Sequence, residues 1–303
     1  MNARPGLALR FARSQRCETD PVDDGWGMLA AFGEIMSVMS SYKLIAALGS
    51  SFAAGPGIDP IENLPAMRSS KNYAHQVAEL LGASLVDLTV SGATTANVID
   101  MPQQFVLGGG EFPPQLDGLP AETDMVTITV GGNDLQFAAA MLYAAIKQEA
   151  PEEPFAAMMK GRFANGIPVM TNAAIANATD GLIRVIEATR AKAPVVRVVL
   201  VDYLTVLEEA TSTAQTTPFS TDELSQLLPI QAAVRRIFID AATAMGTDLL
   251  RASDLGAEHA LGSADPWVQP FSSSQDRILG SFHPNLAGMT AIAVALAALL
   301  ADQ

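Results

Sequence analysis

A single cysteine, Cys17, stands in the whole chain, so no disulfide can form within it. That fits a reducing compartment, and a cytoplasmic location is expected, with secretion left open. Only three histidines occur, His75, His259 and His283, and none has metal-ligand spacing, so neither a zinc site nor a cofactor is expected. Positive charge is scarce: 18 Lys and Arg stand against 32 Asp and Glu, a formal net charge of −14. Phosphate binding needs clustered Lys and Arg, so nucleic acid is disfavoured as a partner, as is adhesion to anionic lipid. No uncharged apolar run reaches the ~20 residues that a membrane span requires. Residues 1–10 carry two arginines but no apolar signal-peptide core follows them. Charged residues are 17% of the chain, which argues against long disordered tracts.

What is present is apolar sequence in abundance, 49% of 303 residues, enough for one large domain with a full core. Residues 1–40 differ from the rest, with Arg4, Arg10, Arg13 and Arg16 followed by Asp20, Asp23 and Asp24. They read as a poorly ordered extension, with Met36 or Met39 a candidate start, and 41–303 as the folded domain. Five short apolar runs read as strands: 43–48, 84–90, 125–130, 195–201 and 247–250. Helical spacing over 72–81, 94–100, 134–148, 173–193, 225–245 and 284–300 alternates with them. Pro229 places the true start of the fifth helix near itself. Strands alternating with helices predict an α/β fold, a parallel sheet with helices on both faces. Continuous rather than alternating apolar runs suit strands buried on both sides. Three stretches, 101–122, 149–171 and 252–282, break the alternation and are rich in Pro, Gly and small residues. Such segments are often lids or binding walls.

Ligands of open parallel sheets bind beyond the carboxyl ends of the strands. The residues there are Gly49-Ser50-Ser51-Phe52 after the first strand, Ser91-Gly92-Ala93 after the second and Gly131-Gly132-Asn133-Asp134 after the third. Ser281-Phe282-His283-Pro284-Asn285 lies near the C-terminus. Together these segments resemble the four blocks of the SGNH/GDSL hydrolases, in order, over about residues 43–300. The family's Ser, Gly, Asn and His match Ser51, Gly92, Asn133 and His283. The resemblance implies a single-domain, three-layer α/β/α sandwich with a five-stranded parallel sheet of flavodoxin-like type. It also implies a carboxylic ester hydrolase, an esterase or lipase, acting through a serine acyl-enzyme.

The implied roles are chemically coherent. A serine hydroxyl needs a neighbouring base, and an imidazole with pKa near ~6.5 supplies one at neutral pH. Activity is therefore expected to fall below about pH 6. The oxyanion formed on attack needs aimed donors, which the backbone N–H groups of Ser51 and Gly92 and the side-chain amide of Asn133 would provide. Two departures from the family pattern stand out. Ser50 replaces the usual Asp before the nucleophile, and Gly280 replaces the Asp three residues before the histidine. The favoured arrangement is a Ser–His dyad, with the backbone carbonyl of Gly280 or a neighbour on the imidazole. Asp276 is the alternative third member, with Asp265 further back.

Each residue also has a plainer reading. Ser51 alone is a helix cap, Gly92 a turn residue, and His283 an ordinary residue before a helix-starting proline. Asp134 is expected to cap the helix that follows it and to steady the Asn133 loop. His75 reads as structural, and His259 carries little functional weight. Trp267 and Phe271 read as packing under a loop, and Met158, Met159 and Met170 as either an acyl-binding wall or core. The expected substrate is a small-molecule or lipid ester. A carbohydrate acetyl esterase is the runner-up, weakened by the 6% aromatic content that leaves little for stacking on sugars. A catalytically silent module on the same fold is a further alternative. A nucleotide-binding loop at Gly49–Gly57 lacks both the Gly-Lys-Ser/Thr ending and the G-x-G-x-x-G spacing. Asp87 is also too far along to bind a ribose.

Overall fold

The computed structural model describes residues 42–105 and 108–301, so the extension expected at 1–40 lies outside the described residues. Five parallel strands form the central sheet: β1 (Leu44–Gly49), β4 (Ser84–Asp87), β7 (Met125–Thr129), β8 (Arg197–Val201) and β9 (Asp248–Leu250). Their order is β4-β1-β7-β8-β9. The intervening numbers belong to two small antiparallel pairs, β2 (Ile61–Asn63) with β3 (Arg68–Ser69) and β5 (Gln103–Gln104) with β6 (Glu111–Phe112).

Side chains of β1 alternate between two cores: Ala46 and Leu48 join one, Ile45 and Ala47 the other. A strand with both faces covered has no solvent side, which is why its sequence is uniformly apolar. One face is covered by α2 (Tyr73–Leu81) and α9 (Leu286–Ala301). The other is covered by α4 (Phe137–Glu149), α6 (Asn172–Lys192) and α7 (Thr221–Met245). The three-layer α/β/α sandwich expected from the sequence is thus the observed architecture. From β1 the chain steps to β4 on one side and then to β7 on the other. In open α/β sheets, ligands bind at such a reversal, which here falls at the carboxyl end of β1.

Two expectations need correction. Helix α7 does not begin near Pro229; it starts at Thr221, behind a capping box in which Ser220 and Glu223 bond each other's backbone N–H. Glu223 also accepts from Lys147 (3.1 Å) and Gln148 (2.5 Å) of α4, and Leu224 and Leu227 are buried, so cap and packing hold a turn that the proline alone would break. The 149–171 stretch is not all irregular: α5 (Pro154–Arg162) lies within it, opened by a proline in its first turn.

Candidate active site

Strand β1 ends at Gly49, where a Cβ would lie 2.7 Å from the carbonyl oxygen of Thr129 on β7, so only glycine fits. Gln115 brackets this residue, accepting from Gly49 N–H (2.8 Å) and donating to Gly49 C=O (2.9 Å), much as a neighbouring strand would. Ser50 then turns inward, fully buried, with its hydroxyl 2.8 Å from that of Tyr203. The position at which the resemblance implies an Asp is therefore a core hydrogen bond in this chain. Ser51 opens the short helix α1 (Ser51–Ala54), and its hydroxyl is not spent on a cap. Its Oγ lies 2.8 Å from Nε2 of His283.

His283 is held from three sides. Residues 268–269 run antiparallel to 282–284, with Phe282 N–H donating to Gln269 (2.9 Å) and Gln269 N–H to His283 (2.8 Å). The Gln269 amide also donates to the carbonyls of Pro56 (2.8 Å) and Pro284 (3.1 Å), stitching the loop after Ser51 to the loop of His283. Asn285 accepts from Gly288 N–H at 3.0 Å and so fixes the first turn of α9. Phe282 itself sits at φ 66, an unusual value for a bulky side chain. The ring is buried against Phe219, centroids 5.2 Å apart, which retains the strained backbone just before the imidazole.

Nδ1 of His283 lies 2.9 Å from the carbonyl oxygen of Ser281. The carbonyl nearest the ring thus belongs to Ser281 and not to Gly280, whose own carbonyl accepts the backbone N–H of His283 (3.2 Å). Asp276 is exposed and makes no bond to the ring among the described residues, so its place as a third member is not supported. Burial drives the imidazole pKa down from its ordinary value to about 4, more than the accepting carbonyls of Ser281 and Gly280 can offset. His283 is therefore neutral at pH 7, and the fall below pH 6 expected from an unperturbed imidazole moves to more acid conditions.

Gly92 follows β4 at φ +88, a conformation that suits glycine. Its segment is tied to the loop of Ser51 by Val90 N–H on Gly49 C=O (3.1 Å). The side-chain amide of Asn133 donates to Ala93 C=O at 2.9 Å, which brings the third block against the second. Among the described residues the backbone N–H groups of Ser51 and Gly92 donate to no protein atom. Asp134 departs from expectation. It does not cap α4, whose flanking residue is Gln136 in the left-handed region. Its carboxylate instead accepts from Thr95 N–H (3.1 Å) and Thr95 Oγ1 (2.6 Å), at the start of α3 (Thr95–Ile99). Burial raises the Asp134 pKa, and the Thr95 bonds partly oppose it.

A model described as the GDSL-like Lipase/Acylhydrolase family matches residues 47–291. The chain belongs to that family. Among its relatives, "Lipase 2" of Streptomyces coelicolor is 29% identical over 252 residues, 80% of each chain. The crystal structure of an extracellular lipase from Streptomyces rimosus shares the fold, with TM-score 0.62 and 23% identity over 84% of this chain and 98% of that one. Phospholipase A1 from Streptomyces albidoflavus NA297 is similar in fold, with TM-score 0.65 and 22% identity over the same shares.

Other candidate groups have structural explanations. Glu62, His75 and Asp87 bring ligand-type atoms within 4.8 Å of one another. The guanidinium of Arg68 reaches Glu62 (3.2 Å) and Asp87 (3.6 Å), and Asn72 and Thr89 donate to the Asp87 carboxylate. A cation is thus already present as a side chain, and the cluster reads as an ion-pair network. His259 stacks on Trp267 with centroids 3.7 Å apart. The three methionines divide: Met159 is core, Met170 is partly buried and Met158 is exposed. No helix among the described residues is long and apolar enough to cross a membrane. Gln115, Gln269 and Tyr203 carry no local sequence signature, because each acts through contacts with residues far along the chain.

Proposed function

We propose that the protein hydrolyses carboxylic esters through an acyl-enzyme on Ser51, with His283 as general base and then general acid. The observation that carries this reading is the 2.8 Å contact between Ser51 Oγ and Nε2 of a neutral imidazole whose Nδ1 is occupied by a carbonyl. Ser51 Oγ attacks the ester carbonyl carbon while its proton passes to Nε2. The carbon–oxygen bond to the alcohol then breaks, and the departing oxygen takes that proton. Water repeats the sequence on the acyl-enzyme, releasing the acid and restoring the serine. The N–H groups of Ser51 and Gly92 and the amide of Asn133 stabilise the oxyanion in both halves, each worth ~10²–10³ in kcat. Lipid or simple alkyl esters are the substrate class proposed, consistent with the lipase names of the Streptomyces relatives and with a chain of net charge −14 that repels anionic substrates.

The test is turnover of a p-nitrophenyl ester series of increasing acyl length, with Ser51→Ala as control. Loss of turnover in the control, with an acyl adduct on Ser51 trapped by mass spectrometry, supports the reading. An inert wild-type protein favours a silent binding module on the same fold. The lone cysteine supports a reducing compartment, whereas the Streptomyces rimosus relative is described as extracellular; fractionation of the source cells decides between the two.

A further inference from the structure

The 101–122 segment, irregular in the sequence, supplies a side chain that bears directly on one peptide of the site. Gln103, nine-tenths buried on β5, donates through Nε2 to the carbonyl oxygen of Ser91 at 2.7 Å. That carbonyl belongs to the same peptide unit as the N–H of Gly92. In a trans peptide the C=O and N–H point in opposite directions. A donor fixed on the oxygen therefore fixes where the hydrogen points. The other peptide of the pair is held differently: Ser50 C=O, which shares its unit with Ser51 N–H, accepts from Ala53 (3.0 Å) and Ala54 (2.9 Å) in the first turn of α1. Gly92 has no such helix: it sits at φ +88 in a turn closed by Ala93 N–H on Val90 C=O (3.1 Å), which leaves the carbonyl of Ser91 without a helix partner. Its neighbour Ser91 is anchored on the nitrogen side by Ala66 C=O (3.0 Å), and Gln103 supplies the anchor on the oxygen side.

We propose that Gln103 is a positioning residue for oxyanion stabilisation, orienting and polarising the Ser91–Gly92 peptide so that its N–H meets the developing charge. The inference rests on the reading of Gly92 as an oxyanion donor. Two physical effects contribute. Donation to the carbonyl restricts rotation of the peptide, and it strengthens the N–H as a donor by roughly 10–30%, as in any hydrogen-bonded chain. Neither changes how neutral substrate binds before attack, so the effect belongs in kcat and not in KM.

Gln103→Met keeps length and removes the donor; Gln103→Glu keeps shape and presents an acceptor that becomes a donor only when protonated. The expected result for Gln103→Met is a fall in kcat of about tenfold, smaller than the ~10²–10³ for deleting a donor outright, with KM within twofold of wild type. The affinity of a trifluoromethyl ketone, which forms an oxyanion on Ser51, falls by the same factor as kcat. The kcat of Gln103→Glu, taken as a ratio to wild type at each pH, recovers at least severalfold between pH 8 and pH 5. An unchanged kcat in Gln103→Met, a loss of kcat without matching loss of ketone affinity, or a Gln103→Glu ratio flat across pH overturns the proposal. Ser51→Ala run alongside separates the two failures: if it stays active, the reading of the site has failed, and if it is inert while Gln103→Met matches wild type, only the role of Gln103 has.

Discussion

The imidazole of His283 donates from Nδ1 to the backbone carbonyl of Ser281, two residues earlier in its own chain and 2.9 Å away. A carbonyl only accepts, so this contact fixes the proton on Nδ1 and leaves Nε2 with its lone pair toward Ser51. Orientation and tautomer, which an aspartate would otherwise provide, come from the main chain, without a buried negative charge. It follows that no nearby carboxylate is needed. Asp276→Asn is expected to leave kcat within twofold of wild type, and Ser281→Ala within about threefold, since its carbonyl survives the change. Steady-state kinetics on a soluble ester check both; a fall of several orders of magnitude in Asp276→Asn would restore a carboxylate triad.

Burial of His283 lowers its pKa to about 4, so the pH profile is expected to be displaced. The acid limb of kcat/KM reports the free enzyme's base, and its midpoint should lie near pH 4, with more than half the maximal rate remaining at pH 5. Stability moves the other way. The unfolded imidazole takes a proton below its ordinary value of 6.5, whereas the folded one resists until about pH 4. The unfolded state thus binds more protons in that window, and stability contributed by neutral His283 is lost as pH falls from about 6.5 to about 4. Rates measured alongside thermal melts separate the two effects. An acid limb centred at pH 6.5 in a fully folded enzyme would contradict a desolvated base.

The four polar blocks were legible in the sequence because parallel-sheet topology collects strand ends on one edge, and short polar loops after apolar runs mark those ends. The sheet was legible for the same reason: β1 and β7, buried on both faces, are unbroken apolar runs. What escaped has no local signature. Gln115 reaches Gly49 across 66 residues, and Gln269 reaches Pro56 across 213, each by a side chain on a backbone group that any sequence would offer. Asp134 looks like a cap for its own helix, yet it caps one 39 residues away because Gln136 turns left-handed first. The carbonyl on the imidazole is that of Ser281, the neighbour of Gly280, and which of the two it would be has no sequence mark. Helix α5 hides because few of its side chains are buried.

The Asp134–Thr95 contact predicts a coupling between stability and placement of the Asn133 amide. Asp134→Ala removes both bonds at the start of α3, and capping changes of this kind cost ~0.5–2 kcal/mol. The residue also adjoins Asn133, whose own bond to Ala93 lies two residues before Thr95. Loosening this junction is expected to lower kcat about tenfold with little change in KM. Thr95→Ser, which keeps hydroxyl and backbone N–H, should retain wild-type kcat. Equal kinetics for Asp134→Ala and wild type would show that the junction serves stability alone.

Asp202 offers a test of stability. It lies just after β8, almost fully buried, accepting from Ser253 N–H (2.8 Å) and Ser253 Oγ (2.6 Å). Burial raises its pKa to about 6, and those two bonds do not compensate. A carboxyl group with a raised folded pKa contributes most to stability below its unfolded value of 3.8, and that contribution is lost as pH rises through about 6. At pH 8 the protein therefore carries a buried charge it would be more stable without. Asp202→Asn keeps an oxygen for the Ser253 N–H, and Ser253 Oγ can accept from the new amide. The variant should match wild type near pH 4 and be more stable at pH 8 by on the order of 1–2 kcal/mol, a Tm higher by several degrees. Melting curves at pH 4.5 and pH 8 measure the difference. A Tm for Asp202→Asn that is lower at pH 8 would mean that the charged carboxylate gains more from Ser253 and from Arg235 than it loses to burial.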